Sequence, residues 1–224
     1  MPRAFFASVA AARLPDIAPY DEAHARARLD DVIAVYAEEG AQIFDTHSAL
    51  FLRIVEGSSF LAGLLRRYPD VVTALTENAA EAYADNLLSE LPAAVAACKT
   101  RDEVMTALRH TRNKIALVSA LADLSGIWDV GAVTHCLTRL ADICVSASFD
   151  WLVGEAVEGL GGSIDVLVNN AAAAIYQPMV DYPLKRRHLT FEANVHAPLD
   201  LAQAVLPSMI EAGEGWILNL SSGT

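Results

Sequence analysis

Glu158-Gly159-Leu160-Gly161-Gly162-Ser163 runs straight into Ile164-Asp165-Val166-Leu167-Val168-Asn169-Asn170. The glycines mark a place where the backbone is free to enter left-handed conformations that other residues avoid. Before this seam the apolar residues recur at helical spacing, in a chain rich in Ala and Leu. After it the period changes to a short, near-continuous apolar run, the pattern of a strand covered on both faces. Two differently built parts are expected, residues 1–160 and residues 161–224.

Composition narrows what those parts can be. The 224 residues are 54% hydrophobic and 20% charged, which suits a globular core. A formal net charge of −12 opposes binding to a phosphate backbone, so no nucleic-acid partner is expected. The basic clusters Arg66-Arg67 and Lys185-Arg186-Arg187 are too short to reverse that balance and read as solvated helix faces. Cys98, Cys136 and Cys144 are odd in number and lack CxxC spacing, so neither a disulfide framework nor a metal site is expected. Cys136 and Cys144 are eight apart and would share a helix face as core thiols, in keeping with a cytoplasmic protein. The apolar run from Ala4 to Ala12 is cut by Arg13 and followed by the turn Leu14-Pro15-Asp16, which departs from a secretory leader. No uninterrupted apolar stretch is long enough to span a membrane.

Along residues 1–160 the helix signals are regular. Asp21 is a candidate N-cap for a helix that reaches Glu39 with Gly40 as its stop, and a second helix is expected from about Phe44 to Val55. Ser58 or Ser59 can cap a short helix ending before Pro69, and Pro92 reads as a break. Arg101 to Leu124 gives the strongest pattern, with Val104, Leu108, Thr111, Ile115, Val118 and Ala122 on one stripe. Asp129 can cap the last helix, where Val133, Leu137, Leu140, Cys144 and Trp151 keep helical spacing. About seven helices with no strand signal make this part an all-α bundle.

Several ordered blocks here carry a resemblance. Ser58-Ser59-Phe60-Leu61-Ala62-Gly63-Leu64-Leu65-Arg66-Arg67-Tyr68-Pro69 is one, and Leu108-Arg109-His110-Thr111-Arg112-Asn113-Lys114 is another. Ala120-Leu121-Ala122-Asp123-Leu124-Ser125-Gly126-Ile127-Trp128 and Leu137-Thr138-Arg139-Leu140-Ala141-Asp142 complete the set. Residues 49–160 resemble the N-terminal helical region of the bifunctional glutamine-synthetase adenylyltransferase/deadenylylase family. That resemblance implies glutamine synthetase as a partner. It also implies a nucleotidyltransferase domain after these helices, with a glycine-rich Lys-Leu-Gly turn, Glu-Leu-Asn and Ser-Asp-x-Asp. The glycines let backbone approach phosphate, and the paired Asp carboxylates hold Mg²⁺ against it. None of those strings occurs in this sequence, so adenylyl transfer and removal are not expected of it.

Residues 161–224 read as strand, helix and strand. Ile164 to Val168 is the first strand, Leu184 to Ala193 and Val195 to Ala212 are helical with Pro198 inside, and Gly213 and Gly215 end the helix. Trp216-Ile217-Leu218-Asn219-Leu220 is expected as a second buried strand, parallel to the first. The expected fold class is therefore a mainly α helical bundle followed by a partial α/β, Rossmann-like βαβ fragment. Asp165-Val166-Leu167-Val168-Asn169-Asn170-Ala171-Ala172, Glu192-Ala193-Asn194-Val195 and Ile217-Leu218-Asn219-Leu220-Ser221-Ser222 closely resemble the central part of the short-chain dehydrogenase/reductase family.

This second resemblance implies an NAD(P) cofactor. It places Asn169, Asn170, Ala171 and Ala172 beside the nicotinamide, with Ala172 standing where the family has Gly. It gives Asn194 the structural and proton-relay role, and Ser222 the catalytic hydrogen bond to the substrate oxygen. Pro198 removes a backbone bond four residues after Asn194 and leaves the Asn194 carbonyl open. The glycine-rich cofactor fingerprint does not occur in the sequence, nor does the Tyr-x-x-x-Lys that supplies the family's acid. Hydride transfer by this chain alone is not expected.

Three functional expectations follow. The first is a truncated or fused chain without complete catalytic machinery, carrying the adenylyltransferase-type helices. The second is a reductase fragment that acts only when its missing parts are supplied. The third is a non-catalytic helical docking module. Two strands alone would leave sheet edges open, so self-association through those edges is also expected.

Overall fold

The computed structural model describes residues 4–11, 19–162, 164–173 and 178–220. The chain divides into two compact units, Met1–Ser148 and Phe149–Thr224.

The first unit is helical among its described residues. Its elements are α1 (Phe5–Ala11), α2 (Glu22–Ile33), α3 (Glu38–Thr46), α4 (Ser48–Gly57), α5 (Ser59–Arg67), α6 (Pro69–Ala74), α7 (Ala80–Ala96), α8 (Arg101–Leu124) and the greater part of α9 (Val130–Gly159). Local chemistry starts many of them. Asp21 Oδ1 accepts the His24 N–H at 3.0 Å and Ser58 Oγ accepts the Leu61 N–H at 3.2 Å. The α8 terminus carries a reciprocal box, Thr100 capping the Glu103 N–H while Glu103 Oε2 accepts the Thr100 N–H. Asp129 Oδ1 accepts the Ala132 N–H at 2.8 Å to open α9.

The α8 stripe is as expected: Val104, Ile115, Val118 and Ala122 are buried, whereas Arg109 and Arg112 are exposed. In α9 Cys136 and Leu140 are buried and Cys144 is partly so, but Leu137 lies outside the core at 42% exposure. One core joins α1 to α9, with Phe5, Phe44, Phe51, Leu65, Leu88, Ile115 and Leu121 fully buried.

Three boundaries differ from the sequence expectation, each for a tertiary reason. Helix α2 ends at Ile33, and Gly40 lies inside α3 instead of stopping a helix. Tyr36 causes the break: its hydroxyl donates to the Leu65 carbonyl at 2.7 Å and its ring meets Phe44 edge-on at 4.7 Å. The helix expected from Phe44 is split at His47, so that Phe44 and Phe51 stack at 4.3 Å from two separate helices. Pro92 sits within α7, where burial of Leu88, Leu91 and Val95 carries the helix through a residue that lacks an N–H. Among the described residues no single helix is long and apolar enough to cross a membrane.

The second unit contains β1 (Val166–Asn169), a 3₁₀ turn (Met179–Asp181), α10 (Leu184–Phe191), a π turn (Glu192–His196), α11 (Ala197–Ala212) and β2 (Trp216–Asn219). The strands are parallel and in register, Val166 opposite Trp216 and Asn169 opposite Asn219. Gly161 and Gly162 take φ values of 85° and 101° at the seam, and the Gly162 N–H closes α9 onto the Val157 carbonyl at 2.8 Å. Gly213 ends α11 at φ 76°, as its type suggests.

Helical dominance matches the sequence reading. The α/β portion amounts to one parallel pair of strands, too small a sheet to define a Rossmann-like fragment. The expectation of two buried strands is corrected here. Val166 and Val168 are each 51% exposed and Leu218 is 46% exposed, because a single pair of strands with α11 against it cannot cover both faces.

Candidate functional site

The two strands end together. Their sequences, Val166-Leu167-Val168-Asn169 and Trp216-Ile217-Leu218-Asn219, are both apolar until a terminal Asn, and the parallel register sets the two amides side by side. Asn169 Nδ2 donates to Asn219 Oδ1 at 2.8 Å. Asn169 is 8% exposed, and its Oδ1 is buried without a hydrogen-bond partner among the described residues. Such an atom costs free energy until something donates to it.

Asn194 stands across from these strand ends. Its Oδ1 accepts the Ala173 N–H at 2.8 Å, and its Nδ2 donates to the Ala173 carbonyl at 2.9 Å. The amide thus closes a two-point clamp on the loop after β1. The π turn explains its position: the Ala197 N–H reaches back to the Glu192 carbonyl, and Pro198 has no N–H to offer the Asn194 carbonyl. Sequence and structure agree on this local irregularity.

The space between these parts is an open cleft of about 500 Å³, lined by Asn169, Ala171, Ala172, Asn194, Asn219 and Leu220 among others. The structure therefore brings together four of the residues singled out from sequence: Asn169, Ala171, Ala172 and Asn194. Asn170 is exposed and is not among the lining residues. Ser222 lies outside the described residues. Asn219 and Ala173 were not singled out from sequence. The matching apolar-apolar-apolar-Asn strings were the signal for Asn219; Ala173 could be found only from the clamp.

The cleft wall offers amides, backbone and apolar surface, with no carboxylate, imidazole or ammonium group among its described lining. It can hold and orient hydrogen-bonding groups, and its described lining residues supply no acid or base. Met209 packs over Gly215, where an added Cβ would come within 2.5 Å of its Cγ, so a side chain at the entry to β2 would force Met209 to shift.

In the first unit, polar cross-links join stretches far apart in sequence. Asn113 Nδ2 donates to the Tyr68 hydroxyl at 3.0 Å, and the Tyr68 ring meets His110 edge-on at 5.6 Å. Lys114 pairs with Asp70 at 2.6 Å, Trp128 Nε1 donates to Glu81 at 3.0 Å, and Arg139 pairs with Asp85. Burial pushes the Cys136 thiol up from its usual range, with a smaller opposing effect from the Ser119 hydrogen bond. Among the described residues no group of His, Cys, Asp and Glu is placed to hold a metal ion.

Comparison with known proteins gives these blocks a source. The glutamate-ammonia ligase adenylyltransferase family model matches residues 48–175, more than half of the chain. The chain belongs to that family. Over 108 residues it is 39% identical to the bifunctional glutamine synthetase adenylyltransferase/adenylyl-removing enzyme of Xanthobacter autotrophicus, a match covering 48% of this chain and 11% of that protein.

The enoyl-(acyl carrier protein) reductase model matches residues 127–224. Human L-xylulose reductase is 34% identical over 118 residues, covering 52% of this chain and 46% of the reductase. Carbonyl reductase [NADPH] 2 of Sus scrofa is 40% identical over 81 residues, covering 36% and 33% respectively. The chain thus spans about a tenth of the length of that adenylyltransferase and less than half of either reductase. No solved structure matches.

Proposed function

We propose that this chain is a fusion of an adenylyltransferase-type helical module, residues 1–160, with a reductase-type segment, residues 161–224. In this reading neither part carries a complete catalytic apparatus. The observation that carries it is the meeting of two unrelated patterns: both family models claim residues 127–175, which hold α9 and β1. Helix α9 leads through the Gly161-Gly162 turn into β1, and both matches run across this join. Adenylyl transfer is not assigned to the module, and hydride transfer is not assigned to the segment.

Purified full-length chain should neither adenylylate nor deadenylylate glutamine synthetase. It should also leave NADPH absorbance unchanged with a panel of ketones and enones. Turnover in either assay sinks the reading. Sequencing the DNA on both sides of the reading frame separates a true gene fusion from a piece of a longer one.

The cleft residues fit a nicotinamide cofactor only in part. The buried Asn169 Oδ1 is open to an N–H donor such as a carboxamide. No glycine-rich phosphate turn stands beside it among the described residues, and so the pyrophosphate end has no seat. Asn169, Ala171, Ala172 and Asn194 are proposed to line such a site, with Asn170 and Ser222 assigned by resemblance, but no step is routed through it.

A second reading, a docking module for glutamine synthetase, is supported by the self-contained core of the first unit. Sedimentation of the chain with glutamine synthetase at micromolar concentrations tests it, and independent sedimentation removes it. A cytoplasmic setting is proposed from the relatives' enzyme names.

A further inference from the structure

The chain holds 28 acidic and 16 basic residues, yet two helices of the first unit separate the signs. Helix α5 contains no acid and ends on Arg66 and Arg67. From Val104 to Ala122, α8 carries Arg109, His110, Arg112 and Lys114 and again no acid. In sequence these are two short clusters more than forty residues apart. The fold joins them around one buried ring.

Tyr68 is that ring, at 3% exposure. The Arg67 guanidinium lies 5.9 Å from its centroid, and His110 meets it edge-on from α8. The Tyr68 hydroxyl accepts from Asn113 Nδ2 at 3.0 Å. Asn113 Oδ1 in turn accepts from Arg112 Nη2 at 2.9 Å and from Arg112 Nε at 3.3 Å. Arg109 stands one turn before Asn113 on the same helix. Every one of these contacts lies inside the first unit.

The charges gathered here are not balanced. Lys114 pairs with Asp70 at 2.6 Å, so those two cancel. Among the described residues no carboxylate lies within ion-pair distance of Arg66, Arg67, Arg109 or Arg112. The carbonyl end of α5 favours cations at Arg66 and Arg67. It gives no reason for Arg109 and Arg112, which sit mid-helix on α8. Arg112 is also held in place, because its fork is tied to Asn113 and Asn113 to Tyr68, which leaves it less freedom to lose on binding.

Unpaired cations, partly fixed, on a chain of net charge −12 suit an anionic partner. Guanidinium forks match carboxylates two hydrogen bonds at a time. A nucleic-acid backbone is gripped through roughly six to ten phosphates, more than four guanidiniums around one ring can meet. We infer that Arg66, Arg67, Arg109 and Arg112 form a docking face for an acidic, Asp- and Glu-rich segment of a partner protein. This inference does not depend on whether glutamine synthetase is a partner.

The test is fluorescence anisotropy of a labelled peptide of about ten alternating Asp and Glu residues, titrated with the full chain in about 50 mM salt, where surface charges are weakly screened. Binding should saturate. Arg109→Glu with Arg112→Glu should weaken it at least about tenfold. Both side chains are exposed, so circular dichroism should match wild type. Arg26→Glu with Arg28→Glu makes the same change of net charge on α2 and should weaken binding about threefold at most. Arg109→Lys with Arg112→Lys keeps the charge, loses the fork and should fall between.

A flat titration overturns the proposal. So does a peptide that binds the α8 reversal as well as wild type, or one that loses as much affinity to the α2 reversal, because net charge alone would then govern binding. Equal affinity for a thymidine oligonucleotide of the same charge also overturns it, since the face would then attract any polyanion.

Discussion

Leu121 and Leu218 sit in apolar runs that look alike in sequence, and truncating each to Ala separates what burial does from what pattern suggests. Leu121 is fully buried on α8 within the core of the first unit. Removing its terminal isopropyl group forfeits about 2.4 kcal/mol of transfer free energy for the three lost carbons, and a residual cavity brings the cost to about 3–4 kcal/mol. For a unit of this size each kcal/mol moves the melting temperature by about 2–4 °C, so Leu121→Ala should melt about 6–16 °C lower than wild type.

Leu218 in β2 is 46% exposed. Its truncation removes little buried surface and leaves no enclosed cavity, so the cost should stay under about 1 kcal/mol. The helical circular-dichroism signal of the full chain, followed through heating, reports mainly the first unit, which holds most of the helix. A drop under about 3 °C for Leu121→Ala would refute the reasoning, as would equal drops for both variants.

The remaining predictions concern the cleft and one half-buried phenol. Asn194→Ala removes both bonds to Ala173, so amide exchange at Ala173 should accelerate at least about fivefold, while Asn194→Asp, which still accepts the N–H, should protect it partly. Unchanged exchange at Ala173 in Asn194→Ala would show that the clamp does not hold the loop. Burial, then the charges of Asp70 and Glu90, push the Tyr83 hydroxyl up to about 12 from its ordinary 10.0. Its folded value lies above its unfolded one, so its contribution to stability is complete below pH 10 and is lost as pH rises through about 12. Alkaline unfolding of Tyr83→Phe should therefore be shallower than wild type over that window, followed by ellipticity; identical alkaline profiles would refute the assignment.

Much of the candidate site was legible because short motifs encode local geometry. The Asn-Asn-Ala-Ala string begins on the last residue of a strand, and Asn194 lies four residues before Pro198 in a turn whose backbone bonding departs from the α pattern, as the sequence implied. The pairing of Asn169 with Asn219 joins residues fifty apart, and only the strand register creates it. In the helical unit the caps at Asp21, Ser58, Thr100 and Asp129 act within three residues of themselves. Tyr36, by contrast, ends α2 through a carbonyl on α5, at a separation no local pattern reveals.

By itself the sequence determined the helical character of the first part, the α8 stripe, the change of period at Gly161-Gly162 and both resemblances. These rest on interactions within a few residues, where spacing and side-chain type suffice. Tertiary structure decided where α2 and α3 part, that packing carries α7 through Pro92, and that β1 and β2 stay largely exposed. It also decided which apolar face of α9 is buried. An apolar residue carries the same pattern whether or not something covers it, and the covering surface is supplied by distant parts of the chain.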